Sequence, residues 1–532
     1  MKPSRPIAMA NGGMVASPHY LASLAGLRVL QDGGTAVDAA IAVNAALGVV
    51  YPHMTGMGGD AFWLIYDAQG KQMHALNGTG RTVASATIDR YKRLGLDTIP
   101  QRGPHAAITI PGAVDAWCMA HERFGKLPLR TCLDQAIRYA RDGYPVSAGQ
   151  ARFTRNTAQI LGRYDATVQA FMPGGRVPEL GDLLRFPGMA DTMEAIAREG
   201  RAGFYEGAVR DEIVSSINAA GGEWQASDLT NYRGTWHDPI STTYRGRTCY
   251  QHPPNSQGFT HLMVLNILER FDVAALRLNH AAYIHLVVEA TKLAFRDRDR
   301  YLTDPDFSDI PLDHLLSKDY AAELAKEISF DHTLEHKAEP GGQDTTCAVV
   351  VDRHGNAASI IQSIYHEFGS AFVAGDTNIL LQNRGSFFSL DDTHVNRLEP
   401  GKRCFHTLMP GMLFRDGKLE LVYGTMGGEG QPQTSTAMVT RYVDFNHDIQ
   451  TMIDNPRWLY GRTWGDATSA LRLENRFSEE TFAWLRSRGH EVEITEAMSD
   501  FMGHAAAIKV NSDTGVLQGA ADPRGEGIAV GS

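Results

Sequence analysis

Apolar residues recur at helical spacing over 17–30 (SPHYLASLAGLRVL), and the run stops at Asp32-Gly33-Gly34. A second helix is expected over 35–50 (TAVDAAIAVNAALGVV), capped by Thr35 and ended by Pro52. Its Ala-rich composition lets neighbouring elements approach closely, so it should be buried on most sides. Thr55-Gly-Met-Gly-Gly-Asp60 then turns into an apolar run, AFWLIY (61–66), which has strand composition and ends at the turn-like Asp67-Ala-Gln-Gly70. Helical patterns return over 113–124, 129–142 and 281–301. Residues 331–344 are polar and contain Pro340-Gly341-Gly342, which predicts an exposed loop or linker. Directly after it, TTCAVVVD (345–352) and AASIIQSI (357–364) flank a Gly-Asn turn and predict a hairpin. Further strands are expected at 371–373, 412–414, 419–423 and 505–510. Helices, then strands, then helices imply an α/β (α+β) sandwich with stacked sheets, not a string of separate modules.

Composition narrows the function. The 532 residues carry 50 Lys and Arg against 61 Asp and Glu, a net charge of −11. No charge run is basic, which argues against nucleic acid as a partner. No stretch of about 18 uninterrupted apolar residues predicts a membrane span. The five cysteines (Cys118, Cys132, Cys249, Cys347, Cys404) are scattered and form no CxxC pair, so neither a disulfide framework nor a zinc ribbon is expected. With no apolar leader run near residue 1, a reducing cytoplasm is the expected location. Gly is over-represented, at 53 of 532 against a usual share of about 7%.

Several chemistries can be set aside. There is no phosphate-binding GxxxxGK[ST] and no HExxH. Pro254-Asn-Ser256-Gln-Gly258 has Pro where a nucleophile elbow needs a small residue. Two Gly clusters, Gly56–Asp60 and Gly424–Gly430, read either as tight turns or as backbone N–H donors for an oxyanion. The sharpest feature is Asp344-Thr345-Thr346, where a polar loop meets a strand. A hydroxyl is a weak nucleophile without an adjacent base. Threonine at a chain N-terminus carries one, its own α-amine. Cleavage before Thr345 would create that arrangement, although Thr-Thr is also an ordinary strand sequence.

The chain resembles the γ-glutamyltranspeptidase family of N-terminal-nucleophile hydrolases. The resemblance rests on GGTAVDAAIAVNAALGVVYPHMTGMGGDAF (33–62), IPGAVDAW (110–117), HLVVEATKLAFRDRDRY (285–301), DTTCAVVVDRHGNA (344–357), FVAGDTNILLQNRGSFFS (372–389), GKRCFHTLMP (401–410) and GTMGGEGQPQ (424–433), in the family's order. It implies a four-layer αββα sandwich and autocatalytic cleavage between Asp344 and Thr345. The fragments would be 1–344 and 345–532, held as one interwoven heterodimer open to further dimerisation. By the same resemblance Thr345 is the nucleophile, Ser363 the second hydroxyl beside it, and Gly427 with Gly428 the oxyanion hole. No metal or organic cofactor is implied.

The substrate pocket departs from that of the γ-glutamyl enzymes. Their carboxylate-binding Arg falls on Thr79 here, with Arg81 two residues away. The Asn-Gln-x-Asp-Asp stretch that holds the α-amine becomes Asn383-Arg384-Gly-Ser-Phe387-Phe388, with Arg384 at the Gln and Phe387 at the Asp. The paired serines become His406-Thr407. Losing the Asp removes the partner of an ammonium, while Arg384 supplies a two-pronged carboxylate binder. Arg384, His406, Thr407, Arg81, Asn383 and Tyr365 are the expected substrate-binding residues, with Phe387 and Phe388 narrowing the pocket. The expected substrate is a small amide bearing a carboxylate, oxamate before glutaryl amides. A γ-glutamyl hydrolase and an uncleaved binding protein are the rivals.

Overall fold

The computed structural model describes residues 3–335, 345–461 and 468–532. Two seven-stranded sheets are stacked face to face. One runs Ile528–Gly531, Gly13–Ser17, Thr346–Asp352, Ala357–Ser363, Asp60–Asp67, Gln72–Gly78 and Thr235–His237 in spatial order. The other runs Ala8–Ala10, Leu517–Ala521, Ala505–Val510, Lys418–Thr425, Gly411–Arg415, Arg247–Gln251 and Ile240–Tyr244. Neighbouring strands within both are antiparallel. Helices, including Tyr20–Gln31, Ala36–Val50, Ala113–Phe124 and Leu129–Asp142, cover the first sheet. Gly258–Leu268, Ala281–Tyr301 and Gly430–Val443 cover the second. The result is the expected αββα sandwich.

Strand periodicity sorts side chains between these layers. In Thr346–Asp352, Cys347, Val349 and Val351 enter the core between the sheets, while Ala348 and Val350 face the helices. Phe62, Leu64 and Tyr66 do the same on Asp60–Asp67. The helix Ala36–Val50 is buried at every position, which its run of Ala permits, and Thr35 with Asp38 closes a capping box at its start.

The helices expected at 113–124, 129–142 and 281–301 form with those bounds. Two local expectations are corrected. The first helix begins at Tyr20, because Ser17 belongs to the Gly13–Ser17 strand. Residues 371–373 make no strand: Ala371 has φ 57°, and only an isolated bridge joins Val373 to Leu380.

Candidate active site

The hairpin of Thr346–Asp352 and Ala357–Ser363 pairs Thr346 with Gln362. Continuing that register by one residue sets Thr345 across from Ser363. On the next strand Ser363 is paired with Asp60. Opposed residues share a face and lie about 5 Å apart, so Thr345, Ser363 and Asp60 form a row across three strands. Their parity with Cys347, Ile361 and Phe62 turns the row towards the other sheet. All three are buried. The Ser363 Oγ accepts the Tyr365 N–H at 2.8 Å, and the Thr346 Oγ1 donates to the Gln362 carbonyl at 2.9 Å. Asp344 lies outside the described residues.

The second Gly cluster joins the Lys418–Thr425 strand to the Gly430–Val443 helix. Gly424 packs so closely on the Thr346–Asp352 strand that a Cβ there would sit 2.5 Å from the Cys347 Sγ. Gly427 and Gly428 take φ 119° and 52°, which glycine adopts without strain. Among the described residues neither of their N–H groups has an acceptor, and the following helix adds its positive N-terminal end. The turn is fixed by Gln257, whose Nε2 donates to the carbonyls of Gly428 at 3.1 Å and Thr407 at 2.8 Å. Arg298 holds the other end of Gln257, with Nη1 donating to Oε1 at 3.2 Å. The first cluster, Gly56–Asp60, is instead a packing turn. A Cβ on Gly58 or Gly59 would stand 2.1 Å from the Leu380 or Ser363 carbonyl.

Arg384 is 1% exposed, and its guanidinium lies 3.9 Å from the centroid of the Tyr365 ring. None of its three nitrogens has a hydrogen-bond partner among the described residues. Burial pulls its pKa below the ordinary value. A cation this deep without a counter-ion is costly, and a buried group perturbed in this way marks a candidate functional site. The Thr407 Oγ1 is also buried and unpartnered. Neutral His406, held well below its usual pKa by burial, places Nε2 3.2 Å from Asp60 Oδ2.

Two other expected binders are occupied. Arg81 reaches away to Asp304 and Asp306 and to the Gly401 carbonyl. Asn383 accepts the His366 N–H and donates to the Gln101 carbonyl, which braces the loop carrying Tyr365. Phe387 and Phe388, with Phe405, stand to one side of Arg384. They wall a cavity of about 500 Å³ that reaches Arg298 and Glu429, next to the Gly427-Gly428 turn.

Sequence reasoning passes over Asp60 and Gln257. A carboxylate that is buried at the head of the strand, where Asp67 at its other end lies at a turn, is the available signal for Asp60. Gln257 lies 171 residues from Gly428 and carries no such signal.

The family model described as gamma-glutamyltranspeptidase matches residues 22–532. The chain belongs to the γ-glutamyltranspeptidase family. Within it, the chain is 50% identical to the glutathione hydrolase-like YwrD proenzyme of Bacillus subtilis, covering 97% of this chain and 98% of the relative. It is 40% identical to the oxamate amidohydrolase proenzyme of Klebsiella pneumoniae, covering 98% of both. Among solved structures, a cephalosporin acylase from Bacillus halodurans superposes with TM-score 0.92 at 36% identity, covering 100% of this chain and 98% of that one. γ-Glutamyltranspeptidase-family enzymes are hydrolases of amide bonds, and this chain is one. No described helix is long and apolar enough to cross a membrane. Among the described residues, two clusters place three metal-ligating side chains together, but protein groups already use them. Lys292 donates to Glu289 beside His285 and His490. Asp38, beside His121 and Cys132, caps a helix and accepts the Lys126 and Leu127 amides.

Proposed function

We propose that the chain is a self-processing N-terminal-threonine amidohydrolase for small amides that carry a carboxylate and no α-ammonium, with oxamate the smallest such substrate. The observation that carries the reading is the buried, unpartnered guanidinium of Arg384 on the Tyr365 ring. Cleavage before Thr345 gives fragments 1–344 and 345–532, as the word proenzyme in the names of the relatives supports. The freed Thr345 α-amine takes the proton of Oγ, which attacks the amide carbonyl. The N–H groups of Gly427 and Gly428 hold the oxyanion, and the amine, or ammonia from oxamate, leaves with the proton. Water then hydrolyses the acyl-threonine. Ser363 supports the Thr345 hydroxyl, Arg384 and Thr407 hold the carboxylate, and Arg81 stays out of the pocket.

The 50% identity to a glutathione hydrolase-like protein favours a second reading, γ-glutamyl hydrolysis. That substrate's ammonium needs a carboxylate partner. Asp60 is already taken by His406, by Gln382 Nε2 at 2.8 Å and by the Gly80 amide at 2.8 Å. The cavity beside Glu429 leaves room for leaving amines larger than ammonia. Five buried free thiols fit a reducing compartment. The test is a rate comparison on oxamate, glutaryl-p-nitroanilide and γ-glutamyl-p-nitroanilide. The reading predicts that one of the first two exceeds the third at least about 100-fold in kcat/KM, since an uncompensated buried ammonium costs several kcal/mol. Preference for the γ-glutamyl compound overturns it.

A further inference from the structure

Asp60 is 1% exposed, stands two strands from Thr345, and has no obvious place in the reaction just described. Its Oδ1 accepts from the Gly80 amide and from Gln382 Nε2, and its Oδ2 faces His406 Nε2. Arg384 is near enough for its charge to favour the ionised carboxylate, yet makes no ion pair with it. Among the described residues, the other titratable groups that act on this carboxylate are held neutral by burial. His406 lies well below its ordinary pKa, Cys404 is pushed up to about 12, and Tyr232 lies well above the usual phenol, while His252 behind His406 is lowered too. Among these side chains Arg384 is the fixed cation and Asp60 the adjustable charge; the freed Thr345 α-amine is the other group of the site that titrates near neutral pH.

That inventory constrains what can enter. With Asp60 ionised, the pair is close to neutral. A substrate carboxylate arriving on Arg384 then leaves a net negative charge in a water-poor site, with two carboxylates sharing one guanidinium. Like charges sharing a buried site are relieved by protonating one of them.

We propose that Asp60 is a specificity-determining residue that gates the pocket by charge, and that a carboxylate binds Arg384 together with one proton taken up from solvent onto Asp60. The proton bonds to a carboxylate oxygen of Asp60, no other bond changes, and it returns to solvent when the product anion leaves. Burial already holds the Asp60 carboxyl at about 7, so the gate works across the neutral range. Gln382, His406 and the Gly80 amide keep the carboxylate in place in either state. The inference rests on the reading of Arg384 as the carboxylate binder.

The test is calorimetric titration of propanoate, an inert monocarboxylate, into the self-processed enzyme between about pH 6 and 9, spanning the Asp60 transition. Buffers of different ionisation heat are used so that proton uptake is counted directly. The wild type is expected to take up close to one proton per propanoate at about pH 8, and its affinity should fall about tenfold per pH unit above about 7. In Asp60→Asn both effects should vanish while propanoate still binds. A pH-independent affinity with no proton uptake in the wild type overturns the proposal. So does the same slope surviving in Asp60→Asn, because the Thr345 α-amine would then be its source. If the variant does not fold, the count in the uncut Thr345→Ala chain, which has no freed α-amine, decides: proton uptake that persists there supports Asp60, and propanoate binding without uptake overturns the proposal. Absence of propanoate binding at every pH removes the Arg384 reading instead.

Discussion

At the scale of single residues, the pocket is set by two buried charges that do not neutralise each other directly. Arg384 has a flat ring beneath it and, among the described residues, no acceptor around it. This arrangement costs stability in the empty protein, a cost that the proposed substrate carboxylate would recover. Arg384→Met is therefore expected to raise the free energy of unfolding by about 1–4 kcal/mol while abolishing turnover of carboxylate-bearing amides. Urea denaturation alongside the oxamate assay checks both. A loss of stability would mean that the guanidinium is paired in solution. Arg384 can be read from the sequence, because an Arg replaces a neutral residue in a recognisable stretch. The engagement of Arg81 cannot, because its partners Asp304 and Asp306 lie 223 and 225 residues away. Asp60 is hidden for a similar reason, since its partners Gln382 and His406 meet it only when the sheets have stacked.

At the scale of elements, the hairpin and one turn position the chemistry. The two β-rich runs around Gly355-Asn356 define the pairing, and period-two alternation then decides which side chains face the cleft. That much is legible in the residue pattern alone, as are the long helices with apolar stripes. The short run at 371–373 is not, because its left-handed Ala371 belongs to a loop shaped by contacts with residues 379–381. The Gly427-Gly428 turn is ambiguous locally, and its position at a helix N-terminus beside the Thr346–Asp352 strand resolves its geometry. Gln257 braces that turn from the other side. Gln257→Ala is expected to lower kcat about 10- to 100-fold with little change in KM, since the brace acts on transition-state stabilisation. Steady-state kinetics on processed enzyme tests this, and a pure KM effect would contradict it. Gly58→Ala forces a methyl onto the Leu380 carbonyl and should cost at least about 1–3 kcal/mol in thermal unfolding.

At the scale of the whole molecule, the proposed cut before Thr345 divides the chain into two halves that share both sheets. Thr346–Asp352 and Ala357–Ser363 lie between Gly13–Ser17 and Asp60–Asp67, so the fragments should co-elute in size exclusion and separate only on denaturation. Stability should also show two opposite pH limbs. Burial would raise Asp522, but Arg457 and Arg524 outweigh it and hold the carboxyl at about 2. The stability it contributes is present above about pH 4 and is lost as pH falls towards about 2. Asp60 has the reverse sign. Its folded pKa of about 7 lies above the unfolded value of 3.8, so stability declines as pH rises from about 4 to 7, and Asp60→Asn should flatten that decline. Melting curves across about pH 3–8 test both limbs. The most direct test of the central claim is the intact mass of the purified protein, wild type beside Thr345→Ala. The account predicts two fragments in the wild type, split immediately before Thr345, and a single uncut, inactive chain in the variant. An uncut wild type that still hydrolyses amides, or a variant that is cut and active, would contradict it.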